Sequence, residues 1–226
     1  MKFIRKFADN TSHNSISNKF RLKRFKIFMN LVRDLPKPVT VLDTGGTVNF
    51  WNQMGMLNNA DFKLTILNIE SEENNYSNIK FVKGDARNLS CYKDSEFDIV
   101  FSNSVIEHVG SKSDQEKMAS EIVRTGKRYY VQTPNYYFPF EPHFLFPLFQ
   151  FFPLFFKKFL LKNFSMGWFD KANDDSEAME IINSIRLLRK KEFRELFPDS
   201  MIIPEKLFWI SKSFVAIGGK NFNKLY

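Results

Sequence analysis

Residues 39–43 (Val-Thr-Val-Leu-Asp) form a short apolar, β-branched run that ends on an acid and passes at once into Thr44-Gly45-Gly46-Thr47. A buried strand running into a glycine turn is the reading this pattern supports. It constrains the whole fold because similar runs recur at 63–69, 79–84, 97–102 and 127–133. Helical spacing falls between some of them, at 49–57 (Phe50, Met54, Leu57 on one side) and at 114–125. Strands alternating with helices or connecting segments predict an α/β protein, with a doubly wound, mostly parallel sheet covered on its faces by helices.

The order changes after residue 134. Residues 134–164 hold five Pro and 11 Phe, and read as an insertion. A helix is expected over 176–188 (Met179, Ile182, Ile185, Leu188), extended through 191–197. The runs at 201–203 and 213–217 have no long helix between them, so they should pair antiparallel at one sheet edge. The chain therefore divides into a basic N-terminal helical arm, 1–37, and one domain, 38–226, that carries the 134–164 insertion.

Charge is unevenly placed. The 226 residues carry a net charge of +8, and residues 1–35 supply most of it, with Lys and Arg outnumbering Asp9 and Asp34. The rest of the chain is close to neutral, which argues against nucleic acid as the partner. The arm reads as an amphipathic helix with Phe20, Phe25, Phe28, Met29, Val32 and Leu35 inward. One Cys, Cys91, excludes an internal disulfide, and three His in all argue against a multi-histidine metal centre, so no metal is expected, a site built from Glu107, His108 and Glu141 being the minor alternative. The longest uncharged apolar run, 144–156, contains Pro147 and Pro153 and falls short of a membrane span of about 20 residues. A cytoplasmic protein is expected, with peripheral membrane contact through 144–164 and the basic arm as an option. The same Phe-rich segment reads first as a lid that excludes water from a site and as core of the insertion, with membrane contact the lesser reading.

In an open parallel sheet, ligands bind beyond the carboxyl ends of the strands, where strand order reverses. Asp43, Asn68, Asp85 and Asn103 end the strands here. Asp43 precedes a turn that lets a ligand approach the backbone. Asn68 suits a ribose diol; Asp85, after Gly84, suits an exocyclic adenine amine, and Ala86 leaves room for the ring. Together they suggest a nucleoside pocket.

The segments 39–45, 64–68, 81–86, 97–108 and 129–134 resemble, in order, the landmarks of class I S-adenosylmethionine-dependent methyltransferases. Phe97-Asp-Ile-Val followed by Ser104-Val-Ile-Glu-His108 is similar to the type 11 subgroup. The resemblance implies a Rossmann-like fold, S-adenosyl-L-methionine as cofactor, and cofactor contacts from Asp43, Thr44, Gly45, Gly46, Asn68, Ile69, Gly84, Asp85, Ala86, Asn103 and Ser104. It implies methyl transfer to a small-molecule, glycan or lipid-linked acceptor, at oxygen before nitrogen or carbon. Two departures stand out: Thr47 and Asn49 occupy glycine positions of the family motif, and Asn68 replaces the ribose-binding acid. They keep open a relative that binds a nucleoside or a partner without turnover. A nicotinamide-dependent oxidoreductase would need more glycine at 45–50 and an acid at 68.

A hydroxyl acceptor needs a base near the tips of the fourth and fifth strands. His143, His108 and Glu141 are the candidates. His143 and Glu141 lie in a loop whose Pro139 and Pro142 restrict the backbone. His108 follows Glu107 in sequence, and the resemblance implies that it shapes the cofactor pocket and more rarely serves as a base or metal neighbour.

Overall fold

The computed structural model describes residues 16–70, 75–220 and 222; the first 15 residues of the basic arm lie outside them. A seven-stranded sheet has the order β3-β2-β1-β4-β5-β9-β8. Its strands are β1 (Val39–Thr44), β2 (Phe62–Asn68), β3 (Ile79–Lys83), β4 (Phe97–Asn103), β5 (Gly126–Pro134), β8 (Met201–Leu207) and β9 (Ile210–Gly219). β1 pairs in parallel with both β2 and β4, so strand order reverses beside β1, with Asp43 opposite Ile66 on one side and Phe101 on the other. β9 runs antiparallel to β5 and to the edge strand β8, as the missing crossover helix requires.

Period-two alternation sends each strand's side chains to two cores. Val39 and Val41 face one with Phe28 and Val32 of α1 (Ile16–Val32) and Trp51 of α2 (Val48–Gln53). Leu42 faces the other with Met118 and Ile122 of α3 (Lys112–Thr125) and Phe193 of α6 (Lys190–Leu196). Phe28 is fully buried, edge-on to Trp51, Phe101 and Tyr130. Arg24 of α1 also bonds Glu205 of β8 at 2.9 Å. α1 is thus part of the packing over the sheet.

The insertion builds a core of its own. β6 (Phe140–Glu141) and β7 (Phe146–Pro147) form a short hairpin, followed by α4 (Leu154–Asn163). Phe144, Phe149, Leu160 and Leu161 pack with Ala178 of α5 (Asp175–Asn183).

The expected helix 176–188 ends early. α5 stops at Asn183, and residues 184–189 cross the tips of the central strands before α6 begins. Leu188 bridges Asn135 in parallel, its carbonyl accepts the Tyr136 N–H, and the Arg186 N–H donates to the Glu107 carbonyl at 2.7 Å. These backbone bonds to the strand-tip loops outweigh the helical spacing of Ile185 and Leu188.

Candidate active site

At the tip of β1 the Asp43 side chain turns into the sheet face covered by α2. It is 1% exposed, Oδ2 accepts the Trp51 indole N–H at 2.7 Å, and Oδ1 has no partner. Burial pushes its pKa up to about 7, which the Trp51 hydrogen bond only partly offsets. Gly45 turns the chain with φ +85° against Val105, where a Cβ would meet Val105 Cγ1 at 2.5 Å. Gly46 follows over the Asp43 carboxylate. Thr47 stands at a glycine position of the motif because it caps α2, its hydroxyl accepting the Phe50 N–H. Thr44 is buried, its hydroxyl directed at the Phe101 carbonyl.

Asn68 ends β2 and donates its amide to the Gly46 carbonyl at 3.0 Å, tying the second strand tip to the glycine turn. Its own carbonyl accepts the Gly84 N–H, and Ile69 beside it is 70% exposed. Asp85 makes a bidentate pair with Arg87, which holds its carboxyl below the usual range. Ala86 is buried behind it. Asn103 ends β4, and Ser104 at φ +58° donates to Gln132 Oε1 at 2.8 Å. Asp43, Gly45, Gly46 and Asn68 are therefore brought together, while Asp85 is already engaged by a cation.

A second polar group forms where β4 and β5 end. Glu107 lies in a 3-10 turn (Ile106–His108) and is wholly buried. Its Oε2 accepts the Thr133 hydroxyl at 3.0 Å and its Oε1 has no partner. Burial pushes the carboxyl up to about 7, against the opposing charge of His143. His108 keeps an exposed edge, yet desolvation and the neighbouring His143 lower it to about 4. His143 Nδ1 is 2.7 Å from Oε1 of Glu141, and the two His rings meet edge to face at 4.7 Å. Burial alone would lower His143, but the Glu141 bond and the charges of Glu141 and Glu107 carry it above its ordinary value. Glu141 Oε2 also accepts the His143 and Phe144 backbone N–H groups, at 2.7 and 2.6 Å, fixing the loop. The three residues expected to act on the acceptor thus converge.

Beside them opens a cavity of about 290 Å³, lined by Tyr136, Glu141, Gln150, Lys157, Arg186 and Arg189 among others. Gln150 Oε1 has no partner there, and Arg189 lies over the Tyr136 ring. Sequence reasoning missed Arg186 and Arg189 because they lie in the segment expected to be helix. Trp51 was missed because only the folded turn brings it to Asp43.

Residues 44–128 match the methyltransferase-domain family. An S-adenosylmethionine-dependent methyltransferase from Aquifex aeolicus superposes with a TM-score of 0.50 at 14% identity, over 96% of each chain. The Burkholderia thailandensis 1,6-didemethyltoxoflavin N1-methyltransferase, solved with that substrate and S-adenosylhomocysteine, gives 0.51 at 11% identity, over 88% of this chain and 78% of its own. An uncharacterized Mycobacterium tuberculosis protein is 39% identical over 56 residues, 25% of this chain and only 19% of that relative's length. The chain has the class I S-adenosylmethionine-dependent methyltransferase fold, and its methyltransferase domain match runs from the tip of β1 into β5. S-adenosylmethionine is the cofactor of domains of this class. The unpartnered Asp43 Oδ1 and the side-chain-free turn at Gly45-Gly46 fit it; Asn68 offers hydrogen bonds without charge. Among the described residues, no helix is long and apolar enough to cross a membrane.

Proposed function

We propose that the protein transfers a methyl group from S-adenosylmethionine to a hydroxyl of a small acceptor held in the cavity between the insertion and residues 182–192. The observation that carries this reading is the His143–Glu141 pair, 2.7 Å apart in the β6–β7 hairpin. The cofactor supplies a methyl on a sulfonium, which departs as a neutral thioether. Asp43, the Gly45-Gly46 turn and Asn68 bind and orient it; Asp85 and Ala86 border the adenine, and Asn103 and Ser104 the reacting end. Glu141 accepts from His143 Nδ1–H and leaves Nε2 to take the acceptor proton. His108 meets the His143 ring edge to face at 4.7 Å, and Glu107 is buried next to it in the same 3-10 turn. Lys157, Arg186 and Arg189 favour an acceptor that carries a carboxylate or phosphate.

The outer face of α4 supports a lipid-linked acceptor reached at a membrane surface. Phe155 is 74% exposed and Phe159 54%, with Lys158 and Lys162 between and beyond them. Flotation with anionic vesicles tests this: wild type should float and Phe155→Ser/Phe159→Ser should not. Wild type remaining in the soluble fraction would leave the lid role alone.

The activity itself is tested by S-adenosylhomocysteine release with a panel of anionic hydroxy compounds. His143→Ala should lower turnover about 100-fold while cofactor affinity is kept. Unchanged turnover would assign His143 to packing. A protein that binds the cofactor and turns over no acceptor would fit the non-catalytic alternative.

A further inference from the structure

We infer that Glu107, His108 and His143 form a binding site for a divalent transition-metal cation, with Glu141 holding His143 in place from behind. Each of the three offers a ligand atom, and these atoms lie within 4.8 Å of one another. Two imidazoles and one carboxylate suit Zn²⁺, Fe²⁺, Mn²⁺ or Co²⁺, and leave coordination positions open.

Three independent features point to a cation rather than a packed polar cluster. Glu107 Oε1 is buried without any hydrogen-bond partner, although Thr133 satisfies Oε2 of the same carboxylate. A buried carboxylate oxygen left alone is costly, and a cation satisfies it. The His143 ring is bonded through Nδ1 to Glu141, so Nε2 remains as its ligand atom. A carboxylate behind a metal-bound histidine fixes the tautomer and raises the basicity of the ligating nitrogen. The His108 ring keeps an exposed edge, which gives an ion and an acceptor a way in.

The position gives the ion a task. It lies between the tips of β4 and β5, joined through Val105 to the glycine turn. An acceptor hydroxyl bound to the cation loses its proton to solvent water and presents an oxyanion to the methyl donor. This rests on the proposed methyl-transfer site: Nε2 of His143 takes the acceptor proton in the metal-free protein, and with the ion bound that nitrogen is a ligand and the ion activates the hydroxyl. It also revises the expectation of no metal drawn from the histidine count: two histidines suffice when a buried glutamate completes the set.

The test is binding of the metal alone to tag-free, chelator-stripped protein, followed by Zn²⁺ titration calorimetry and by Co²⁺ absorption in the visible. One equivalent is expected per chain, with Co²⁺ bands of low-symmetry nitrogen and oxygen ligation. His108→Asn and His143→Asn should abolish binding, and Glu141→Gln should weaken it about 10–100-fold, the effect expected of a supporting carboxylate. His108 has an exposed edge, so its variant should fold, which circular dichroism checks. Absence of stoichiometric binding, or binding unchanged in both histidine variants, would overturn the site. S-adenosylmethionine binding by the same stripped protein is measured alongside, so failure of the metal site and failure of the methyltransferase reading are separate results.

Discussion

Gly46 and Asp43 claim one space: a Cβ on residue 46 would lie 1.6 Å from Asp43 Oδ2, the oxygen that accepts the Trp51 indole N–H. The glycine turn, the buried acid and α2 are therefore one mechanical unit. Gly46→Ala should drive the carboxylate off Trp51 and lower both the melting temperature and cofactor affinity. Trp51 fluorescence should shift with it. An alanine variant with unchanged fluorescence and affinity would show that the turn accommodates a methyl group.

Asp43 also sets a pH dependence of stability. Its folded-state pKa, about 7, lies above the ordinary 3.8. The fold thus favours the protonated acid, and this contribution is present below about pH 4 and lost as pH rises through about 7. Asp43→Asn keeps an acceptor for Trp51 and removes the titration. Its denaturation midpoint should fall less between pH 5 and pH 8 than that of wild type. Parallel curves for the two proteins would contradict the assignment.

Phe28 joins the N-terminal helix to the sheet. Phe28→Ala should cost about 3–5 kcal/mol in urea unfolding, the range for a large buried aromatic. A loss near zero would make α1 a detachable arm after all.

Arg186 lines the acceptor cavity, where it donates to Gln115 of α3 and pairs with Glu192 of α6. Arg186→Met should raise the KM of an anionic acceptor about tenfold or more with cofactor affinity unchanged. An unchanged KM would move the anion-binding role to Lys157 or Arg189.

Much of the sheet was legible because β1, β2, β4 and β5 announce themselves by apolar runs and polar ends, and those ends are where Asp43, Asn68 and Asn103 stand. The glycine turn was legible for the same reason. The helix over 176–188 was not, because periodicity registers Ile185 and Leu188 but not the backbone bonds that Glu107 and Asn135 offer to residues 184–189. Those bonds join distant parts of the chain and leave no mark at any one position. The meeting of His108 with His143 depends likewise on how the insertion returns over β5. Glu141, two residues before His143, was the local sign that this loop holds a histidine in place.

The most direct measurement is a calorimetric titration with S-adenosylmethionine and S-adenosylhomocysteine, repeated with NADH and with an Asp43→Ala variant. One site of micromolar affinity for the first two, weakened by the substitution and absent for NADH, is the predicted result. No binding of either nucleoside, by protein whose fold is intact by circular dichroism, would contradict the account and leave a methyltransferase fold without its cofactor.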